Sequence, residues 1–202
     1  MKIFPNPPIY VLLDTSVVQN LHTFSKYIFH NYLSEEMDKK LIKLGNKIRN
    51  DIYALKIIIS PDSPVIPVIS NLSLYELSNI GNETKRENLL KWGFGLLETS
   101  QAMNLLYCED VDDSLDMKNE YIHFSSEQTI LSDFLKDKID RLLLGECWKS
   151  DFDAFITMDY KTILKYRSEL IKEGINVHSP SMWLKSLGWE IEIFSASWRA
   201  QR

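Results

Sequence analysis

A chain of 202 residues, 45% hydrophobic and 25% charged, can bury the core of one compact domain and is too apolar for intrinsic disorder. Its apolar runs fall short of the about 20 residues a membrane-spanning helix needs, and the N-terminus lacks a charged-then-apolar signal, so the expectation is a cytoplasmic protein without membrane contact. The pair of cysteines, Cys108 and Cys147, speaks against a disulfide framework or a thiolate zinc site, and a net charge of −5 with a pI near 5.4 speaks at first sight against a nucleic-acid partner.

Ile9-Tyr-Val-Leu-Leu13 follows Pro5, Pro7 and Pro8 and ends at Asp14. An uninterrupted apolar run of this kind reads as a strand buried on both faces, as in a parallel sheet, passing into a helix capped by Thr15 or Ser16. Val17, Val18, Leu21, Phe24, Ile28 and Phe29 then recur at helical spacing. Beyond Ser34, a lysine-rich stretch repeats Met37, Leu41, Leu44, Ile48, Ile52 and Leu55 at steps of three or four. Together they predict a helical hairpin at about 20–58 that elaborates the domain. Its second helix carries an apolar stripe with few partners inside a compact domain, so a homodimer partner or a protein inhibitor is expected to cover it.

Pro61, Pro64 and Pro67 bar a regular helix, which makes Val65 to Ile69 extended, and Asn71 or Ser73 opens a helix that carries Glu76 and ends at Gly81-Asn82. Residues 83–103 are helical, with Leu89, Trp92, Leu96 and Leu97 on one side, although Gly93 and Gly95 weaken the pattern. Glu109, Asp110, Asp112, Asp113, Asp116 and Glu120 mark an acidic, solvated loop at about 108–120. Ser125-Ser-Glu127 starts a helix through about Trp148, with Ile130, Phe134, Ile139, Leu142 and Leu143 as its apolar stripe. Asp153 to Thr157 is a short strand reaching Asp159. A basic helix to Gly174, a strand at Ile175 to Val177, a helix from Pro180 to Leu187 and a strand from Trp189 to Phe194 complete the chain. No repeat or linker divides it, so residues 1–202 form a single domain. Strands alternating with helices predict an α/β fold with a central, mostly parallel sheet and helices on both faces.

Ligands of such sheets gather at the carboxyl ends of the strands, where Asp14 and Asp159 both fall. Taken singly, each is as readily a helix cap or turn residue. Glu76 sits in the apolar stretch Leu72-Ser-Leu-Tyr-Glu-Leu77, and Asp133, Asp137 and Asp140 share one face of the predicted helix, where a solvated acidic stripe is the ordinary account. The combination is more telling. A strand ending in Asp, a helix with Glu, a helix with Asp, a strand ending in Thr-x-Asp, then a strand and a Ser-Pro helix start resembles the PIN domain family of nucleases. The matching pieces are Leu12-Leu-Asp-Thr-Ser16, Leu74-Tyr-Glu-Leu77, Asp140 with Leu142-Leu-Leu-Gly145, Asp153-Ala-Phe-Ile-Thr-Met-Asp159 and Val177-His-Ser-Pro180.

The resemblance implies a PIN-like three-layer α/β/α sandwich and a metal-dependent endoribonuclease. Its catalytic and metal-binding residues would be Asp14, Glu76, Asp140 and Asp159, holding Mg²⁺ or Mn²⁺, with Asp137 able to share or replace the part of Asp140. The helical hairpin and the acidic loop depart from the compact members and leave the RNA substrate undefined. The residues support the same chemistry. Clustered carboxylates repel and stay ionised together only beside a cation, and hard oxygen donors without His or Cys select Mg²⁺ or Mn²⁺ over zinc. Ser16 and Thr157 are placed to orient the carboxylates, whereas His22, His30, His123 and His178 are scattered and carry no nucleophile motif. The proposed ligands supply most of the net charge of −5, so phosphates must be met locally, by Lys161 and Lys165 with Arg167, Lys149 and Arg141 nearby. Tyr160 and Tyr166 either stack a base or simply pack. The toxin half of a toxin–antitoxin pair, with an antitoxin as inhibitor, is one role within this reading. The alternatives are a PIN-like module that binds without cutting and a phosphotransferase phosphorylated on Asp14.

Overall fold

The computed structural model describes residues 9–60, 63, 65–107, 131 and 134–189, with backbone alone at 101–107. Strands β1 (Ile9–Leu13), β2 (Val65–Ile69), β3 (Ala154–Ile156) and β4 (Val177–His178) form one parallel sheet in the order β2-β1-β3-β4. Helices α1 (Thr15–Thr23), α2 (Ser25–His30) and α3 (Glu35–Ile58) separate β1 from β2, and α4 (Asn71–Ser78), α5 (Glu83–Tyr107) and α6 (Lys138–Lys149) lie between β2 and β3. Helix α7 (Arg167–Lys172) precedes β4, and α8 (Pro180–Ser186) follows it. The architecture is the expected three-layer α/β/α sandwich.

Strand pleating assigns alternate residues to opposite layers. Val11, Leu13, Ala154 and Ile156 meet Val17, Leu21, Phe24, Leu55 and Trp183 on one side of the sheet. On the other, Leu12, Phe155 and Val177 meet Leu143 and Leu144 of α6 and Leu170 of α7. Val11, Leu12 and Leu13 are all 0% exposed, which is why β1 is an uninterrupted apolar run in the sequence. Each such leucine contributes about 1.5–3 kcal/mol relative to exposure. A third cluster packs Val18, Ile69, Leu74, Leu77 and Leu89 where α1, α4 and α5 meet β2. Pro67 is tolerated because β2 pairs with β1 alone among the described strands, as an edge strand.

Several boundaries differ from the sequence expectation. The first half of the hairpin is two short helices, divided at Phe24 and closed by Asn31 in the left-handed region at φ 54°. Ser34 caps α3 by accepting from the Met37 N–H at 3.2 Å, and Gly45, at φ 79° and ψ 167°, breaks the helix in a conformation that a side chain would oppose. The apolar stripe of α3 is not waiting for a partner: Met37, Leu41, Ile48, Ile52 and Leu55 all pack into the first core cluster, and Leu44 alone of the stripe is exposed.

Helix α5 runs through Gly93 and Gly95. A Cβ at Gly93 would lie 2.5 Å from Leu74 Cδ2 and 3.3 Å from Leu77 Cδ1, so the glycine leaves room for the leucines of α4 against α5. Helix α6 starts at Lys138, because residues 135–137 are not helical and Asp137 is its N-cap. Asp137 therefore caps the helix that carries Asp140 instead of lying within it one turn earlier. The basic segment after Asp159 is a turn, a 3-10 helix at Leu164–Tyr166 and the short α7. The acidic loop at about 108–120, Cys108, the helix start at Ser125 to Glu127, Ile130, Asp133 and the strand expected beyond Trp189 lie outside the described residues. Among the described residues, no helix is long and apolar enough to cross a membrane.

Candidate functional site

From β1 the sheet extends one way to β2 and the other way to β3, so the carboxyl ends of β1 and β3 flank the point where the strand order reverses. In open α/β sheets the crevice for ligands opens there. Asp14 follows β1 directly and is only 4% exposed. It, not Thr15 or Ser16, is the N-cap of α1, because its carboxylate accepts from the Ser16 N–H at 3.3 Å. The same oxygen, Oδ2, accepts from Ser16 Oγ and, at 2.7 Å, from Thr157 Oγ1. Thr157 Oγ1 in turn accepts from the Asp159 N–H, and Ser16 Oγ from the Met158 N–H, both at 3.0 Å. Two hydroxyls thus lock the end of β1 to the loop after β3 and fix Asp14 relative to Asp159.

Glu76 arrives on α4 and accepts from Thr15 Oγ1. Its helix is anchored from an unforeseen direction: Ser70, the N-cap of α4, donates through Oγ to Glu146 Oε2 of α6 at 2.5 Å. That bond joins the helix of Glu76 to the helix of Asp140. Asp140 lies in the first turn of α6, whose N-cap Asp137 accepts from Ile139 N at 2.7 Å and Asp140 N at 3.4 Å. Asp137 is exposed, lines the same cleft as Asp140, and keeps open its sharing of the part of Asp140. Asp159 accepts from the N–H groups of Lys161 and Thr162, each at 2.9 Å, and from Thr162 Oγ1, which starts the turn toward the 3-10 helix.

The electrostatics show which of these acids are neighbours. Asp140 is pushed up to about 7, first by burial and then by the charges of Asp14, Asp137, Glu76 and Asp159. Burial also raises Asp14 against the hydrogen bonds from Ser16 and Thr157, with the charge of Asp159 adding to the rise. Glu76 is raised by burial, opposed by Thr15 and reinforced by Asp14 and Asp137. Elements distant in sequence therefore bring Asp14, Glu76, Asp137 and Asp159 within electrostatic reach of Asp140, while Glu76 feels Asp14 and Asp137. Among the described residues, no three His, Cys, Asp or Glu side chains stand ready to hold a metal ion. Asp14, Glu76 and Asp159 are each turned onto a hydroxyl, while Asp140 accepts no side-chain hydrogen bond among the described residues. An all-oxygen set of this kind would suit Mg²⁺ or Mn²⁺ over zinc if the side chains turned onto a common cation.

No family model, curated protein or solved structure matches this chain. Function must be argued from the site itself.

The basic neighbourhood divides on inspection. Arg141 donates to the carbonyls of Leu135 (2.6 Å) and Lys136 (2.9 Å), and Arg167 to Val177 O (2.8 Å) and His178 Nδ1 (3.3 Å), so both guanidiniums hold the fold. Lys161 and Lys165 are exposed. Lys161 borders a cleft of about 380 Å³ that includes Asp140 and Tyr166, and Lys165 Nζ lies 5.0 Å from the Tyr166 ring centroid. Tyr160 packs instead of offering its face: its hydroxyl donates to Asp51 and Lys47 Nζ lies 3.6 Å from its ring centroid.

Asp51 went unnoticed in the sequence. It is 0% exposed on α3 and accepts from Tyr160, from Ser179 Oγ at 2.9 Å and from the Ser181 N–H at 3.0 Å. It ties the residue after Asp159 to the start of α8. No sequence signal marked it, since an aspartate in a lysine-rich amphipathic helix reads as solvated.

Proposed function

We propose that the protein is a PIN-like, metal-dependent endoribonuclease in which Asp14, Glu76, Asp140 and Asp159 bind Mg²⁺ or Mn²⁺ and serve hydrolysis of RNA phosphodiester bonds. The observation that carries this reading is the convergence of those acids at the strand-order reversal, with Asp140 pushed up to about 7 by burial and by the charges of the others. Such a group ionises together at neutral pH only beside a cation. Mg²⁺ or Mn²⁺ held by these carboxylates would supply an acidified water and offset charge on the phosphate.

The chain's own residues have separable parts. Ser16 and Thr157 hold the Asp14 carboxylate in one orientation, and Thr15 holds that of Glu76. Asp140, without such a bond among the described residues and raised to about 7, would hold a proton in the metal-free protein and would have to lose it to serve as a ligand. The test is cleavage of matched single- and double-stranded RNA and DNA with Mg²⁺ and with Mn²⁺. Metal-dependent cutting of the single-stranded RNA is expected. Failure to cut any of them, in protein shown to bind metal, would favour a PIN-like module that binds without cutting.

A further inference from the structure

We propose that the cleft beside Asp140 seats one unpaired nucleotide adjacent to the scissile phosphate, its base against a wall formed by Phe134 and Tyr166 and its phosphate met by Lys161. The assignment rests on the nuclease reading for the role of the neighbouring carboxylates, and on separate observations for the cleft itself. The cleft encloses about 380 Å³, within the range of small-molecule sites. Its lining brings together the acids Asp137 and Asp140, the exposed lysines Lys136 and Lys161, and the rings of Phe134 and Tyr166.

The two rings have centroids 5.4 Å apart at 41° and pack against the second core cluster, so their positions are set before any ligand arrives. Arg141 braces the same wall by holding the carbonyls of Leu135 and Lys136. Lys165 lies over one face of the Tyr166 ring, 5.0 Å from its centroid, so a base stacks on the other face or displaces this exposed, flexible side chain. The acids on the lining repel phosphate, so lysines are needed on the cleft itself, and an aromatic wall is useful only to a base that is not already stacked in a duplex.

The experiment is fluorescence anisotropy of the full chain with a labelled single-stranded RNA oligonucleotide and its duplex in Mg²⁺, the RNA checked for integrity on a gel, alongside cleavage kinetics. Tyr166→Leu, which keeps apolar volume and removes the aromatic face, is expected to weaken single-strand binding about tenfold. Tyr166→Phe should bind within twofold of wild type. Lys161→Glu, an exposed change that leaves the core untouched, should weaken binding and lower the salt slope by about one. Wild-type affinity in both Tyr166→Leu and Lys161→Glu, equal affinity for duplex, or no binding of single strands by wild type would each overturn the subsite. Loss of binding in Tyr166→Leu without cleavage by wild type would retain the subsite and refute the nuclease. Cleavage with unchanged KM in both variants would do the reverse.

Discussion

Replacing Asp140 with Asn should stabilise the metal-free protein at alkaline pH and not at acid pH. The Asp140 carboxyl rises from an ordinary 3.8 to about 7 in the fold, so the native state holds a proton that the unfolded chain has released over that interval. A raised carboxyl contributes stability that is complete below the unfolded value and is lost as pH climbs through about 7. About three pH units correspond to a ceiling of about 4 kcal/mol, and the partial exposure of Asp140 reduces this to about 1–2 kcal/mol after solvent screening. For a domain of this size that is a gain of about 3–6 °C in Tm for Asp140→Asn at pH 8, shrinking toward zero at pH 4. Thermal unfolding followed by circular dichroism in EDTA at the two pH values measures it. Adding Mn²⁺ at pH 8 should reverse the order, because wild type gains a ligand that the variant lacks. Equal Tm values for the two proteins at pH 8 in EDTA would refute the claim that these acids repel one another.

Other consequences are as direct. His178 Nδ1 faces the Arg167 guanidinium, which can only donate, so Nε2–H donates to Asn176 Oδ1 at 2.6 Å and the ring is neutral. Burial and the Arg167 charge lower it to about 4, so its contribution to stability is complete above pH 6.5 and lost as pH falls toward 4; an NMR titration midpoint near 6.5 would contradict this. Asp51→Ala leaves the Tyr160 and Ser179 hydroxyls and the Ser181 N–H without their acceptor and should cost about 3 kcal/mol in urea unfolding, with Asp51→Asn costing less; a change under 0.5 kcal/mol would remove Asp51 from the account. Gly93→Ala should destabilise despite better helix propensity, since its Cβ would meet Leu74 at 2.5 Å, whereas Gly95→Ala, with nothing within 4 Å, should gain up to about 1 kcal/mol; the same sign for both would show the contact to be soft.

The sheet was legible because its strands are buried on both faces: Val11 to Leu13 and Val65 to Ile69 stand out as apolar runs bounded by prolines or an acid. The position of Asp14 follows from the end of the first of those runs, and that of Asp159 from the end of the short run at Ala154 to Ile156. What sequence could not supply was the partner of each polar group. The spacing of Asp133, Asp137 and Asp140 imitates a helix face, yet Asp137 ends the preceding loop as a cap. Arg141 and Arg167 read as phosphate contacts and turn out to hold carbonyls, a use invisible until distant segments meet. Asp51 and Glu146 lie on amphipathic helices where solvent exposure is the default, and only their hydroxyl partners on other elements reveal them. The stripe of α3 looked unpartnered because α8, which covers it together with α1 and α2, is far away in the chain.

The central claim is tested most directly by cleavage of one single-stranded RNA in Mn²⁺ by wild type and by Asp14→Asn, with folding of both monitored in parallel. The account predicts cutting by wild type, abolished by EDTA, and a folded Asp14→Asn protein that does not cut. Cutting by Asp14→Asn at the wild-type rate, or by wild type undiminished in EDTA, would contradict it.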